Sequence, residues 1–247
     1  MDVNQLVQTV AIYALPVLFA ITLHEAAHGY VARHFGDMTA YAQGRISLNP
    51  VRHIDWLGTM VVPLLILLVT SGKFLFGWAK PVPVNYSALR KPRQHMALVA
   101  AAGPAANLAM ALVWAVLLRG AVAASDRAAA WTEVAQVYGA GGLIDAAMRH
   151  GSGAVEYLIG VAAAGILVNL LLMLLNLLPI PPLDGGRVVT SLLPRRAAWR
   201  FAKLEPWGVP LLLALVFLPV YGSNALSLIL SPLLLESEAL VRAMVLL

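Results

Sequence analysis

The chain has 247 residues, of which 60% are hydrophobic and 12% charged, and its mean hydropathy is +0.80. Soluble domains average about 25% charged residues, so this composition excludes a water-soluble globular protein, and disorder is excluded by the high hydrophobicity and low charge. The chain has no cysteine, which removes disulfides, thiol catalysis and Cys-ligated metals, and the net charge of +5 fits basic loops on the cytoplasmic side of a membrane rather than nucleic acid.

The start, Met1-Asp2-Val3-Asn4-Gln5, lacks the basic run of a signal peptide. The apolar stretch that follows carries ionisable residues, so it reads as retained. Residues 6–32 form the first long apolar segment, and 57–72 a short one interrupted by Pro63. Residues 96–124 and 154–178 form two more. Residues 207–235 are broken by Pro210, Pro219, Gly222 and Pro232, and read as one bent span or a tight hairpin. About 20 apolar residues are needed to cross the hydrocarbon core, a length that 6–32, 96–124 and 154–178 reach. No internal repeat or low-complexity linker is present. The expected fold is an all-α polytopic membrane protein with about four to six membrane segments. A re-entrant or extended element is expected between the first and second full spans. Residues 1–247 read as a single domain with a core at about 6–195 and C-terminal membrane segments at 207–235.

The basic residues cluster. Arg33, Arg45, Arg52, Lys73, Lys80, Arg90, Lys91 and Arg93 lie between the first and second full spans. Arg187, Arg195, Arg196, Arg200 and Lys203 follow the third. The 125–153 loop holds only Arg127 and Arg149. The positive-inside rule makes the two basic regions cytoplasmic and the 125–153 loop external.

His24-Glu25-Ala26-Ala27-His28 lies near the end of the first apolar segment. On a helix, positions i and i+4 share a face, so two imidazoles grip one zinc ion while the intervening glutamate serves as general base. A charged side chain in mid-bilayer costs on the order of 3 kcal/mol, and a metal compensates three ionisable residues in one turn. Catalytic zinc usually takes three protein ligands and keeps one position open. Asp184 is a candidate for the third. It lies in Asn176-Leu177-Leu178-Pro179-Ile180-Pro181-Pro182-Leu183-Asp184-Gly185-Gly186, where the prolines disrupt a helix and the glycines permit further unwinding. The residues alone leave two readings open, a ligand or a helix cap at the interface.

Taken together, His24-Glu25-x-x-His28 and Asn176-x-x-Pro179-x-x-Pro182-x-Asp184-Gly185 resemble the site-2 protease family of intramembrane zinc metalloproteases, in its compact prokaryotic form. Gly44-Arg45-Ile46-Ser47-Leu48-Asn49-Pro50, the run from Phe76 to Asn85 and Ala102-Gly103-Pro104-Ala105-Ala106-Asn107 are similar too. The resemblance covers about residues 15–195. It implies one Zn2+ per chain held by His24, His28 and Asp184, with Glu25 activating water. It also implies an assisting role at the active site for Asn176, and that Asn107 faces the catalytic region. Neither a PDZ-like domain nor an appended C-terminal regulatory domain is expected.

One zinc reaching both histidines and Asp184 requires the first and third full spans to run parallel. A full crossing by 57–72 would break that parity, so 57–72 is expected to be re-entrant or partly inserted, with the N-terminus external and the site toward the cytoplasmic side. Asn107 and Asn176 have a simpler alternative role in hydrogen bonding between helices. His34, His53, His95 and His150 lie in loops or at segment edges, and Asp37 and Asp55 read as turn or cap residues. The basic 73–95 stretch reads as facing anionic lipid, and Pro81-Val82-Pro83-Val84 offers an alternative, an extended edge for substrate addition.

The expected function is zinc-dependent hydrolysis of peptide bonds within or next to transmembrane segments, in the cell membrane, with transmembrane proteins as substrates. Two alternatives stand beside it. One is a membrane zinc peptidase of another family cutting peripheral chains, with Glu133 or Glu156 as third ligand. The other is a metal-binding transporter or scaffold without hydrolysis, which would have no need of Glu25. The natural substrate and the oligomeric state are left open.

Overall fold

The computed structural model describes residues 3–62, 65, 80–151 and 153–245. Among the described residues three helices are long and apolar enough to cross a membrane: α1 (Val3–His34), α3 (Pro92–Ala123) and, after the intervening α4 (Ala128–His150), α5 (Ala154–Leu177). A short helix α2 (Thr39–Ala42) follows α1. The long helices match the three apolar segments that qualify by length, and they pack on one another. Small residues allow the close approach: Ala111 and Ala115 on α3 and Ala162, Ala163 and Ala164 on α5 are buried, with Ile12 of α1 and Leu118, Ile159, Ile166 and Leu170 in the same core.

Pairings along the helices set their directions. Tyr157 Oη donates to Ala11 O at 2.8 Å, near the starts of α5 and α1. Further along, Asn107 Nδ2 donates both to Ala20 O at 3.3 Å and to Asn169 Oδ1 at 3.0 Å. The His28 ring then meets Val99 O. Numbers rise together on α1 and α5 and fall on α3, so α1 and α5 run parallel and α3 antiparallel to both. The parity required for the third ligand is therefore met.

The segment 57–72, expected to be re-entrant, lies outside the described residues from 63 onward, Leu65 excepted. Its flanks are described. Lys80 N donates to His53 O at 2.9 Å, and Arg90 N to Phe35 O at 3.0 Å, so the chain returns at 80 and 90 to the positions it left at 53 and 35. At the start of that segment, Asp55 accepts from Gly58 N at 2.7 Å and caps a π-helical turn at Trp56–Val61.

Residues 125–153, read as an external loop, are mostly helix instead: α4 (Ala128–His150) packs on α5 through Trp131, Ala135, Leu143, Ile144 and Ala147. Its polar face, with Glu133, Asp145 and Arg149, lowers its hydropathy below that of a span and conceals an apolar stripe at helical spacing.

After α5 the chain breaks at Leu178–Leu183 and restarts as α6 (Asp184–Leu192), with the Pro181–Pro182 peptide bond cis. Gly185 and Gly186 let α6 fold back onto the break: a Cβ on Gly185 would run into the Leu177 and Leu178 carbonyl oxygens, and one on Gly186 would lie 2.5 Å from Pro181 N. Beyond come α7 (Arg195–Ala202) and α8 (Glu205–Phe217). A two-residue hairpin of β1 (Pro219–Val220) and β2 (Ser223–Asn224) leads into α9 (Ala225–Val245). Of the two readings of 207–235, the hairpin is the one found.

Candidate metal centre

His24 and His28 face the same way from α1, and Asp184 meets them from the first turn of α6. The Asp184 Oδ2 atom lies 3.2 Å from His24 Nε2 and 3.3 Å from His28 Nε2, and the two Nε2 atoms are 3.1 Å apart. All three residues are buried. Among the described residues this is the group whose ligand atoms converge so as to hold a metal ion. Glu133 is exposed on α4 and Glu156 opens α5; neither belongs to the group.

The ring hydrogens follow from the neighbours. His28 Nδ1 is 2.7 Å from Val99 O, an acceptor, so it carries the hydrogen and donates. Asn107 uses its amide nitrogen on Ala20 O and Asn169 Oδ1, which turns its Oδ1 toward His24 Nδ1 at 2.6 Å. His24 Nδ1 is therefore also a donor. In the neutral rings both Nε2 atoms then present lone pairs to Asp184 Oδ2, which is buried with no hydrogen-bond donor among the described residues. Three buried acceptors this close need a cation among them. Donor atoms held about 2.0–2.1 Å from a tetrahedral zinc stand about 3.3–3.5 Å apart, close to the separations found.

Gly103 of α3 completes the cradle. A Cβ there would stand 2.5 Å from His28 Nε2 and 2.6 Å from His24 Nε2. The space beside the two ligand nitrogens exists because residue 103 has no side chain.

Glu25 is half-buried between the histidines, and its Oε2 accepts a hydrogen bond from Val82 N at 2.7 Å. Pro81 and Pro83 carry no N–H, so Val82 supplies the only main-chain donor of that tripeptide. The segment around it is pinned elsewhere too. Arg45 Nη2 donates to Lys80 O at 2.8 Å and Pro81 O at 3.3 Å, and Asn85 N donates to Asp37 Oδ2 at 2.7 Å. Asp37 also takes Thr39 N at 2.9 Å, which is the turn role read for it.

The other candidate residues divide. Asn107 touches the His24 ring directly. Asn176 turns its amide nitrogen to Leu172 O of its own helix at 3.0 Å. His53 contacts Ser47 O at 2.8 Å, and His95 stacks on Phe35 at 4.0 Å between ring centroids. Three contributors escaped the sequence reading: Asn169, Gly103 as a cradle, and the Val82 N–H. Asn169 alone left a signal, as a polar amide inside an apolar span.

Comparison with known proteins agrees with this geometry. Residues 12–218 match the model of Peptidase family M50. The chain is 35% identical over 212 residues to "Putative zinc metalloprotease YwhC" of Bacillus subtilis (strain 168), covering 86% of this chain and 82% of that one. It is 28% identical over 202 residues to "Putative zinc metalloprotease Rip2" of Mycolicibacterium smegmatis (strain ATCC 700084 / mc(2)155), covering 82% of this chain and 65% of that one. No solved structure matches the chain.

Proposed function

The chain belongs to peptidase family M50, and from that premise we propose that it is an intramembrane zinc endopeptidase, which hydrolyses peptide bonds within or next to transmembrane segments of other membrane proteins. The observation that carries this reading is the depth of the metal centre. His24 lies ten residues before the end of α1, or about 15 Å at 1.5 Å per residue. Gly103 lies eleven residues into α3, at a similar depth of about 17 Å. A hydrocarbon core of about 30 Å places such a site well inside a bilayer that the helices cross.

His24, His28 and Asp184 would hold the zinc, with Asn107 and Val99 orienting the rings. Zinc bound there supplies a Lewis acid that polarises a carbonyl and acidifies a water molecule. Glu25 takes the proton from the attacking water and delivers it to the leaving amine. The Val82 N–H holds one carboxylate oxygen, leaving the other for proton transfer.

A substrate helix hides its carbonyls in internal hydrogen bonds and must unwind to be cut. The extended Lys80–Asn85 segment beside Glu25 offers main chain against which an unwound substrate can pair. In this reading the site faces the cytoplasmic side of the cell membrane and the N-terminus lies outside, which the distribution of basic residues supports. The shorter helices α8 and α9 add membrane-inserted segments beyond the three long spans.

The test uses the protein in lipid nanodiscs with a single-span substrate labelled at both ends. The expected result is a cut mapped by mass spectrometry to within or beside the substrate's span. Chelator abolishes it, zinc restores it, and Glu25→Gln lowers turnover by on the order of 10²–10⁴ while retaining the metal. Cleavage confined to soluble substrates overturns the intramembrane reading. Parent-level cleavage by Glu25→Gln removes the glutamate from the chemistry.

A further inference from the structure

A cavity of about 660 Å³ opens between the start of α3 and the α6–α7 corner. Lys91, Arg93 and Arg195 line it, together with the apolar or small residues Met96, Thr190 and Ala198. Next to it, α7 exposes Arg196, Trp199 and Arg200, followed by Lys203. Their i, i+3, i+4, i+7 spacing makes one face, and Lys203 Nζ sits 3.5 Å from the centroid of the Trp199 ring. Among the described residues none of these six cations forms an ion pair with a carboxylate. Arg93 is anchored instead on main-chain oxygens, with Nη2 donating to Ser191 O at 3.1 Å and also to Leu193 O.

The depth of the cavity names its ligand. Arg93 and Arg119 are the only arginines of α3 and stand 26 positions apart, about 39 Å along the axis. A bilayer is about 30 Å thick in its hydrocarbon and about 40–45 Å with headgroups, so a helix spanning it holds Arg93 at headgroup level. Trp199 and Trp207 are 63% and 69% exposed in the same part of the chain, as expected of side chains in an interfacial aromatic belt. Three cations lining a cavity at the level of Arg93, and three more on the adjoining face of α7, none of the six paired with a carboxylate, stand beside the apolar wall of Met96 and Ala198 and suit an amphiphile with a phosphate at one end. We propose that this cavity and the exposed face of α7 bind the headgroup of an anionic phospholipid. An acidic peptide offers the charge without the apolar portion. The site is independent of the hydrolytic reading, because it shares no residue with the metal centre.

The test uses the whole protein in nanodiscs of phosphatidylcholine, doped with brominated phosphatidylglycerol or, in parallel, brominated phosphatidylcholine. Tryptophan quenching is read in the parent and in Trp199→Phe, whose difference isolates Trp199. The parent should show excess quenching of Trp199 by the anionic lipid. The triple variant Arg195→Gln, Arg196→Gln, Arg200→Gln should lower that preference by on the order of tenfold or more, since each basic residue near the surface contributes to anionic-lipid attraction, with zinc content unchanged. Equal quenching by the two lipids in the parent overturns the proposal, and this comparison does not depend on the variant folding. Excess quenching that survives in a folded triple variant overturns it as well. Inorganic phosphate and a polyglutamate peptide, added to phosphatidylcholine discs, should leave Trp199 emission unchanged. A saturable response to either would assign the site to a free anion or an acidic protein segment instead.

Discussion

The main-chain N–H of Val82 donates to the Glu25 carboxylate at 2.7 Å, joining residues 57 positions apart. Neither proline beside Val82 has a hydrogen to offer, and Arg45 holds the carbonyls of Lys80 and Pro81. The extended segment and the proposed base are thus one unit, in which a single amide sets the orientation of the carboxylate.

Val82→Pro removes that N–H in a segment already built on alternating prolines. Hydrogen bonds to charged groups contribute about 1.5–3 kcal/mol, so turnover should fall on the order of tenfold or more with zinc content unchanged. Val82→Ala keeps the amide and should keep parent turnover. Steady-state kinetics on the nanodisc substrate, with metal analysis of each sample, decide it. Parent turnover in Val82→Pro would detach the segment from catalysis.

Gly103→Ala puts a methyl group against both ligand nitrogens. Alanine favours a helix interior by about 1 kcal/mol over glycine, so the helix itself gains while the centre loses. Zinc affinity should drop by at least about tenfold, while the metal-free protein should lose no more than about 1–2 kcal/mol, since the helix gain offsets part of the crowding of the two rings. Competition with a zinc-binding dye and a thermal melt measure the two effects separately. Unchanged affinity would mean that the rings shift aside at little cost.

The three buried or half-buried asparagines should separate by what they touch. Asn107→Ala deprives His24 of its orienting acceptor, and such partners typically account for about 10–100-fold in metal affinity. Asn169→Ala should act in the same direction but more weakly, because it acts through Asn107. Asn176→Ala should leave zinc affinity at the parent value, since Asn176 donates to Leu172 O of its own helix. Any loss of turnover in that variant then reflects contact with substrate. Zinc titrations of the three purified variants test the ranking.

The meeting of His24, His28 and Asp184 was legible in part: the residues alone marked the histidine pair and left Asp184 open between ligand and cap, and the family resemblance pointed to it. The i, i+4 histidines carry helical spacing, and the proline–glycine break before Asp184 signals irregular backbone at the end of a span. The parallel course of α1 and α5 followed from requiring one ion to reach both ends. What could not be read was set by tertiary approach. Gly103 is one small residue among many in an Ala-rich run, and only the packing of α3 against α1 makes it a cradle. The Val82 amide is main chain, invisible to any pattern of side chains. The helix at Ala128–His150 was missed because Glu133, Asp145 and Arg149 lower its hydropathy, although the stripe from Trp131 to Ala147 packs on α5.

The measurement that bears most directly on the metal centre is zinc bound per chain in the parent and in Asp184→Ala, purified side by side and titrated against a chelator of known affinity. The expected result is one zinc per parent chain, with only nitrogen and oxygen neighbours at about 2.0–2.1 Å by X-ray absorption, and loss of tight binding in a folded Asp184→Ala. If Asp184→Ala holds one zinc as tightly as the parent, the third ligand lies elsewhere and the His24–His28–Asp184 centre is contradicted.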